Sequence, residues 1–536
     1  MSESFSLVSE PWIEVERLDG SVAAASTLEV LSRAHELRGI VADPLESAAL
    51  HRHLLAVLHR AYEGPASRKE WLAIVRAKRF DDGRVGAYLE RVGGRMDLFH
   101  PTHPFGQTRG LAEKFNVDPI ERLGFERSKW GAARELFQHR PAGYSSSMTP
   151  AEAARALLAH HAFATGGLVK KPGEPTSATA APLVRAAVVL LRGPTVFDTL
   201  VSNLLVYAPE DSMPISGTSE DAPSWEQPTP PRDLHQKKEP QRLPLGWLDL
   251  LTWTSRRLEL VREGERVTGF VRAVGKGLAE GTPRDPMVTY KLVEKRGEIS
   301  IGLDPNRVFW REANALFASG LGTGERRFHR PKALDQVSSR EALEVLGHDA
   351  AFTLDILGLS AEKSRLDLIR AEHLRALARL FEDGSAFTEV ELAIKNAETA
   401  VFALRTALRD YARTALSPGD RDPDSKDVSA LVSSFGAERE AWSALKLHFD
   451  ELLSALGKSD DRDECRHRFA GACRSVAMDR YAAATAVGRD SGRWLQAEAI
   501  GRRTLAQRLV PLRESEKKRA PASEERGKEQ VMENPQ

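Results

Sequence analysis

The stretch VELAIKNAETAVFALRTALRDY, residues 390–411, decides the fold of the C-terminal part of this chain. Its apolar residues recur at alternating spacings of four and three, which places them on one face of an amphipathic helix. They are Val390, Ile394, Ala397, Val401, Leu404, Leu408 and Tyr411. Similar apolar stripes occupy residues 428–456, 463–485 and 491–510, with turn-like breaks between them. Helices joined this closely tend to pack antiparallel, so we predict a C-terminal four-helix bundle.

The sequence before the bundle mixes helical and strand-like patterns. Residues 46–62 and 68–78 have helical periodicity, and Thr149 followed by Pro150 is typical of a helix start. Residues 183–191 form an apolar strand candidate. Strand-like segments recur between about 247 and 303 and predict a small antiparallel sheet. Residues 210–244, rich in Pro, Ser and Asp, indicate a long surface excursion, either a linker or a loop that orders on a partner.

These patterns predict an α+β fold with two domains. We expect a mixed α/β N-terminal domain with small antiparallel sheets over residues 1–380, followed by the antiparallel four-helix bundle over 385–513. Residues 514–536 are polar and charged, with almost nothing to bury, and are expected to be disordered.

Composition excludes several classes of protein. The 536 residues include 76 Lys and Arg, 76 Asp and Glu and only 2 Cys. Two cysteines cannot supply a disulfide framework or a four-thiolate zinc site, and Cys465 and Cys473 are interpreted as small apolar groups of the bundle. Zero net charge argues against a free-standing DNA-coating protein. The absence of a long apolar run or a signal-like N-terminus leads us to expect a cytoplasmic protein without a membrane contact.

The sequence contains few signs of catalysis. It lacks a Walker A loop, a dinucleotide fingerprint, a nucleophile elbow and a His-Glu-x-x-His motif. His51, His53 and His59 do not share a helical face and are interpreted as surface or interface groups. His348-Asp349 resembles the dyad of metal-dependent HD phosphohydrolases but has no recognisable supporting ligands. We therefore predict no catalytic residue, while a metal-dependent nuclease or phosphohydrolase and a helical protein–protein scaffold remain alternatives.

The basic residues indicate more about function than the search for catalytic motifs does. Arg493, Arg502, Arg503 and Arg508 fall on the last predicted helix, where they form either a solvated face or a phosphate-facing patch. A second basic segment, TGGLVKKPGEP at residues 165–175, combines lysines with glycines that allow close approach of the backbone to a ligand. It is either an ordinary surface loop or a phosphate contact.

Several short motifs, in this order, resemble the CasA family, the large subunits of the type I-E CRISPR complex called Cascade. The most specific is LFHPTHPFGQT at 98–108, similar to a family segment that ends His-Pro-Phe-x-Gln-Thr. The others are Pro11-Trp12-Ile13-Glu14-Val15, Leu191-Arg192-Gly193, Pro223-Ser224-Trp225-Glu226-Gln227-Pro228 and Gly246-Trp247 followed by Trp253. The resemblance covers roughly residues 5–512.

The resemblance implies a non-enzymatic, DNA-inspecting subunit. CasA-like subunits lie at the foot of Cascade beside other subunits and the 5′ end of the guide RNA. They inspect double-stranded DNA for the protospacer-adjacent motif, help to open the duplex and recruit the CRISPR helicase–nuclease. Guide pairing reads the target sequence, whereas the protein reads the short motif and the backbone, as in another CRISPR effector.

The resemblance also implies DNA-binding positions. A glycine-rich loop facing the minor groove corresponds to Gly166 and Gly167, with Lys170 and Lys171 beside them. The family's lysine finger corresponds to Arg272 after Gly269-Phe270, with Lys276 as a second candidate. The duplex-opening wedge corresponds to Ala361, Glu362, Lys363 and Ser364, which include no glutamine, and a plain helix-start loop is the alternative.

A further implied position concerns the guide RNA. The family's guide-contacting loop corresponds to Phe137, Gln138 and the nearby Tyr144, where an aromatic ring stacks on a base or packs in the core.

Some relatives carry a four-cysteine zinc site in the small sheet. No cysteine lies there in this chain, so we predict no metal and no cofactor.

Overall fold

The computed structural model describes residues 4–125, 146–169, 176–228, 240–318, 328–347, 349–362, 365–382, 384–417, 421–458, 461–486 and 492–512. They fall into two compact units. Unit 1 comprises Met1–Phe309 and Ala318–Leu374, and unit 2 comprises Trp310–Phe317 and Arg375–Gln536. No helix in these ranges is long and apolar enough to cross a membrane.

The strands, in chain order, are β1 (Ile13–Arg17), β2 (Val22–Ala25), β3 (Leu37–Ile40), β4 (Asp118–Pro119), β5 (Gly167–Val169), β6 (Thr176–Ala178), β7 (Ala187–Arg192), β8 (Gln241–Arg242), β9 (Arg256–Glu263), β10 (Arg266–Val274), β11 (Gly277–Leu278), β12 (Tyr290–Val293), β13 (Gly297–Ser300), β14 (Phe328–His329), β15 (Ala351–Glu362) and β16 (Arg365–Leu377). They form small separate sheets, including β4–β10–β9, β13–β12–β14 and β16–β15–β7.

The α-helices, in chain order, are α1 (Thr27–Ser32), α2 (Pro44–Tyr62), α3 (Arg68–Ala77), α4 (Asp82–Val92), α5 (Pro150–Phe163), α6 (Val196–Asn203), α7 (Trp247–Leu251), α8 (Asn314–Phe317), α9 (Lys332–Val337), α10 (Arg340–Leu346), α11 (Arg379–Glu382), α12 (Gly384–Leu416), α13 (Ser425–Ser434), α14 (Ala437–Leu456), α15 (Arg462–Ala484) and α16 (Gly492–Arg508). The predicted fold class, with small antiparallel sheets followed by C-terminal helices, is confirmed.

Helix α2 is the central element of unit 1. Its side chains are buried almost continuously from Ala48 to His59, as in a helix that is enclosed by other elements on all sides. It contacts α4, α5, α6, α7 and β15. Its Arg52 is buried and satisfied, because the guanidinium pairs with Asp285 Oδ2 at 2.8 Å and donates to the carbonyl of Leu250 at 2.9 Å.

The predicted helix start at Thr149 and Pro150 is confirmed in α5. The Thr149 hydroxyl accepts from the amide of Glu152, and the Glu152 carboxylate accepts from the amide of Thr149. This reciprocal pair satisfies two amides that the first turn leaves without intrahelical partners. Helix α5 packs on α2 and also contacts β10, so its cap fixes one wall of the region that carries the predicted site.

Two sequence predictions in unit 1 are wrong. Residues 210–228 are not a surface excursion, since Ile215, Asp221 and Trp225 are buried. The strand-like region between 247 and 303 does not form one sheet, because β9 and β10 belong to a different sheet from β12 and β13. After Gly358 the chain continues in strands, because β15 and β16 extend to Leu377.

The bundle of unit 2 follows the predicted stripe. All seven stripe residues of α12 are buried. The stripe expected to run through 428–456 is divided into α13 and α14, because Gly436 adopts a left-handed backbone with φ of 62° between them. Gly501 of α16 has no room for a side chain, as a Cβ there would lie 2.8 Å from the carbonyl oxygen of Ala407 on α12. A small residue therefore sets the close approach of these two helices.

A short N-terminal piece completes unit 2. Trp310 stacks on Phe449 with ring centroids 4.7 Å apart, and Phe317 stacks on Phe381 at 5.0 Å. Cys465 and Cys473 are buried and unpaired by disulfide, as their interpretation as small apolar groups requires. The domain limits of 1–380 and 385–513 remain predictions, and the expected disordered tail, 514–536, lies outside the described residues.

Candidate nucleic-acid interface

Strand β10 is the element from which the candidate interface is built. It pairs with β9 along its length and with β4 at Gly269 and Phe270. Val267, near its start, exchanges two backbone hydrogen bonds of 2.9 Å with Met148. Gly269 is required by the crowding at β4, because a Cβ there would lie 2.4 Å from Val117 Cγ1 and 3.1 Å from the carbonyl oxygen of Asp118.

Gly166 and Gly167 lie at the base of the hairpin β5–β6, which we call the glycine hairpin. A Cβ on Gly166 would lie 3.1 Å from the amide nitrogen of Ala180, and Gly167 has a φ of 137°, which side chains disfavour. Val169 and Ala178, one from each strand, form a buried cluster with Val274 of β10. The glycine hairpin therefore packs on the strand that carries Arg272. Lys170 and Lys171 lie outside the described residues.

A buried arginine braces the ends of the glycine hairpin. Arg256, the first residue of β9, is 3% exposed. Its Nη2 donates to the carbonyl of Thr165 at 3.2 Å, just before the hairpin, and to that of Thr179 at 2.5 Å, just after it. A single nitrogen of the guanidinium thus binds both ends of the hairpin, since Nη2 carries two N–H donors. Sequence reasoning missed this residue, because an arginine at a strand start usually remains in solvent.

Arg272 is not an extended finger in this structure. Its side chain is 12% exposed, and its Nε lies 3.6 Å from Oδ2 of Asp118, which is almost fully buried on β4. Asp118 also binds Arg122, whose Nη1 lies 3.1 Å from Oδ1. Burial lowers the pKa of Arg272, and Asp118 opposes that shift. The position predicted for DNA contact therefore holds an ion pair that the sequence did not reveal, and Asp118 was missed because nothing local marks it.

Lys276 lies two residues beyond β10 and is half-buried. The indole of Trp253 donates to its backbone carbonyl at 3.0 Å. Burial, reinforced by the positive charge of Arg242, lowers the pKa of Lys276. Within the described ranges its ammonium has no hydrogen bond or ion pair. A half-buried ammonium without a partner is free to bind an anion.

The predicted wedge is the tip of a hairpin in another sheet. Ala361 and Glu362 end β15, and only Lys363 and Ser364, which the structure does not describe, separate them from β16. Glu362 is exposed and pairs with Arg365 at 3.2 Å. The alternative of a helix-start loop is wrong here, because both flanking segments are strands. The structure thus brings the predicted glycine-loop and finger positions together at β10 and assigns the predicted wedge to the sheet of β7 and β15.

The guide-contact candidates Phe137, Gln138 and Tyr144 lie outside the described residues. The chain on either side of them is well anchored. Before them, Phe125 is buried and stacks on His160, with ring centroids 5.8 Å apart. After them, Met148 pairs with Val267 of β10. The segment that carries these residues therefore starts and ends next to the strand that holds Arg272.

The histidines of α2 are interior groups, so the expectation of surface or interface positions is wrong. His53 is 2% exposed, and both of its ring nitrogens lack a partner in the described structure. Burial lowers the pKa of His53 to about 3 and that of His59 to about 4. These rings are neutral at pH 7. No group of three or more His, Cys, Asp or Glu side chains among the described residues is arranged to hold a metal; His348 lies outside them.

The arginines of the last helix are exposed. Arg493, Arg502, Arg503 and Arg508 all lie on the open side of α16. Arg502 forms an i,i+4 pair with Glu498 at 2.8 Å. This arrangement is typical of a solvated helix face.

The chain matches the family model described as CRISPR-associated protein Cse1 over residues 6–479. It is 33% identical to the CRISPR-associated protein CasA/Cse1 of Thermus thermophilus, over 96% of this chain and 98% of that protein. The chain belongs to the CasA/Cse1 family. A solved structure of Thermus thermophilus CasA (Cse1) superimposes with a TM-score of 0.80 at 30% identity, covering 95% of this chain and 100% of the other.

The fold is also similar to that of a chain in a structure titled CRISPR RNA-guided surveillance complex. The TM-score is 0.71 at 22% identity, with 94% of this chain and 99% of that chain covered. At this level of identity the likeness concerns the fold alone.

The motifs typical of CasA/Cse1 serve mainly to hold this fold together. The amide nitrogen of Gln107 donates to the carbonyl of Leu98 at 2.7 Å, and its oxygen accepts from the amide of Leu260 on β9 at 2.8 Å. The indole of Trp225 donates to the hydroxyl of Tyr88 at 2.8 Å. In this CasA/Cse1 chain the motif residues therefore connect segments that are distant in sequence.

Proposed function

We propose that this chain is the non-catalytic large subunit of a type I-E CRISPR surveillance complex, Cascade. Membership of the CasA/Cse1 family supports this role, and the fold similarity to a chain of an RNA-guided surveillance complex supports a position among other Cascade subunits and the guide RNA. In this role the chain reads the protospacer-adjacent motif in double-stranded target DNA and aids duplex opening. Zero net charge is compatible with a subunit that shares phosphate contacts with partners.

One observation carries the DNA-reading part: the glycine hairpin packs through Val169 and Ala178 on Val274 of β10. Gly166 and Gly167 are separated by more than 100 residues from Arg272 and Lys276, yet this packing brings their elements together. In our proposal the hairpin backbone approaches the minor groove, and Lys170 and Lys171 neutralise phosphates.

Arg272 reaches DNA only after exchanging its carboxylate partner. In our proposal a phosphate or a minor-groove acceptor replaces Asp118, and Lys276 is the second candidate for the finger. The exchange is physically reasonable because a guanidinium binds phosphate and carboxylate through the same planar fork. Asp118 then keeps Arg272 buried in an ion pair when DNA is absent.

The wedge and the guide contact complete the proposal. Ala361 and Glu362 end the first of two adjacent strands of 12 and 13 residues, a shape suited to insertion beside the motif, and Lys363 and Ser364 follow them in sequence. Phe137, Gln138 and Tyr144 contact the 5′ part of the guide RNA, where an aromatic ring stacks on a base. The anchoring of Phe125 and Met148 supports this, because it fixes both ends of the segment beside β10.

The decisive measurement is binding of reconstituted complex to duplexes with matched and mismatched adjacent motifs, at several salt concentrations. Arg272→Ala is expected to cost about 1–3 kcal/mol on the preferred motif and little on others. Lys170→Ala and Lys171→Ala are expected to weaken all duplexes alike and to reduce the salt slope by about one each. Arg340→Ala, at an exposed arginine of α10, is the matched control.

Asp118→Asn tests the exchange within the same assay. It releases Arg272 from its carboxylate and is expected to tighten binding to the matched duplex, provided that the variant complex assembles. Unchanged motif preference in Arg272→Ala would show that the finger assignment is wrong. Loss of all three DNA-binding segments without loss of target binding would contradict DNA inspection by this chain.

The proposed absence of catalysis and the recruitment of the helicase–nuclease have separate tests. The purified chain is expected not to cleave plasmid DNA in the presence of Mg²⁺ or Mn²⁺. Cleavage that disappears in His348→Ala would instead support the phosphohydrolase alternative. Recruitment is measured as binding of the helicase–nuclease to target-bound complex, with and without this subunit.

A further inference from the structure

A basic cavity of about 320 Å³ lies beside Lys276 in unit 1. Two of the family motifs contribute to its wall, together with the strand start at 256–257. The motif residues that line it are 103–108, Ser224, Trp225, Gln227 and Pro228. Its lining includes Arg95, Phe105, Trp225, Arg256, Arg257 and Lys276. No aspartate or glutamate occurs among the described lining residues, although four of them are cations. A wall with this charge attracts an anion, because low-dielectric surroundings strengthen the field of each cation.

The cations are held in place by the backbone of the cavity. Arg257 Nε donates to the carbonyl of Val274 at 2.8 Å, and Arg256 is fixed on Thr165 and Thr179. Gly275, next to Lys276, allows close strand contact, because a Cβ there would lie 2.3 Å from the carbonyl oxygen of Ser255. The wall is therefore preformed, which reduces the entropic cost of binding a ligand.

Aromatic rings line the same cavity. Phe105 and Trp225 are buried, with ring centroids 5.9 Å apart and planes inclined by 32°. The indole N–H of Trp225 donates to the hydroxyl of Tyr88, which fixes the ring. The faces of the ring need no hydrogen-bond partner. Cations beside aromatic rings are the combination that proteins use for single-stranded nucleic acid, since phosphates meet the cations and bases meet the rings.

We propose that the basic cavity binds one nucleotide of a nucleic-acid strand, with its phosphate at Lys276 and Arg257 and its base or sugar towards Trp225. The volume lies within the range of about 300–1,000 Å³ that small-ligand pockets occupy. This inference deepens the proposed function and rests on it for the presence of nucleic acid. The strand is either the guide RNA or one strand of the target DNA, and the two sources share the chemistry that the cavity recognises.

The test uses the full chain and a short single-stranded oligonucleotide carrying 5-iodouracil, for photo-crosslinking. We expect a crosslink in peptides that contain Phe105 or Trp225. Lys276→Glu is expected to reduce both the crosslink and the affinity at least tenfold, whereas Lys276→Arg retains most of them. The matched control is Lys332→Glu, because Lys332 is also a lysine whose pKa burial lowers and it lines a different cavity.

Two results would overturn the inference. One is crosslinking confined to other peptides, and the other is an equal loss of affinity in Lys276→Glu and Lys332→Glu, which indicates unspecific charge attraction. Circular dichroism of Lys276→Glu and Lys276→Arg shows whether each variant folds. If Lys276→Glu is unfolded, Arg257→Gln replaces it with the same expected loss.

The source of the strand is identified in reconstituted complex. The photo-reactive base is placed in the 5′ segment of the guide in one arm, and in one or the other DNA strand in two further arms. A crosslink to the cavity in any arm supports the inference and identifies the strand. Motif preference is measured in parallel on Arg272→Ala. If the cavity crosslinks while Arg272→Ala leaves motif preference unchanged, only the finger proposal is wrong. If no arm crosslinks to the cavity while Arg272→Ala alters motif preference, only the cavity proposal is wrong.

Discussion

The two units differ in how deeply they bury paired cations. In the described part of unit 2 the paired cations remain partly exposed, whether they pair along one helix, as Arg502 with Glu498, or between helices, as Arg466 with Glu389. In unit 1 some cations, such as Arg52 and Arg256, are buried and bind groups far away in sequence: Arg52 binds Asp285 across 233 residues. Because the apolar stripe of α12 specifies the bundle, the charged residues on the surface of the bundle are free to vary. In unit 1, buried cations help to specify which segments meet, since each must find its partner to avoid a large desolvation cost.

The largest expected effect is in the core of the bundle. Leu404 is fully buried on α12, so Leu404→Ala is expected to lower the free energy of unfolding by about 2–5 kcal/mol, through lost burial and a cavity. Chemical denaturation measures this. Phe402→Ala on the same helix is the control, because Phe402 is 57% exposed. An unchanged midpoint in Leu404→Ala would mean that the stripe does not stabilise the bundle.

The second effect tests whether a buried cation specifies unit 1. Arg256→Leu removes the donors to Thr165 and Thr179 and is expected to cost about 1–3 kcal/mol of unfolding free energy. Arg256→Lys keeps the charge but not the fork, so it is expected to recover only part of this loss. Full recovery with lysine would indicate that charge alone matters and that the fork does not brace the glycine hairpin.

The third effect concerns acid sensitivity of unit 1. The pKa of His53 is about 3 in the folded chain, against about 6.5 when the ring is exposed by unfolding. Between these values the unfolded chain binds the extra proton, so stability falls as the pH is lowered, by roughly 1 kcal/mol per pH unit from this group. His53→Phe removes that contribution. Between pH 7 and pH 5 the free energy of unfolding is expected to fall more steeply in the unsubstituted chain than in His53→Phe. An equal pH dependence in the two proteins would contradict the burial of a neutral ring.

The smallest expected effect is on the surface of the bundle. Arg502 is 63% exposed and forms its ion pair with a neighbour on its own helix, so Arg502→Ala is expected to change the free energy of unfolding by no more than about 0.5 kcal/mol. A loss comparable to that of Arg256→Leu would remove the contrast between the two units.

The sequence by itself determined the elements that depend on local pattern. The α12 stripe, the Thr149 cap of α5 and the apolar strand that became β7 were all predictable, because periodicity and capping involve residues a few positions apart. The family resemblance was also readable from short motifs, and the match over residues 6–479 confirms it.

Only the tertiary structure decided where the polar side chains go. Nothing near Arg272 indicates that Asp118 holds it, and nothing near Arg256 indicates two carbonyls on either side of a glycine hairpin. The histidines of α2 look like surface groups in the sequence, but other elements enclose the helix. The strands β15 and β16 are recognised only in the sheet that they form with β7. The physical reason is shared by all four cases. The energy of a buried polar group or a sheet strand depends on partners from distant parts of the chain, and local sequence carries no record of them.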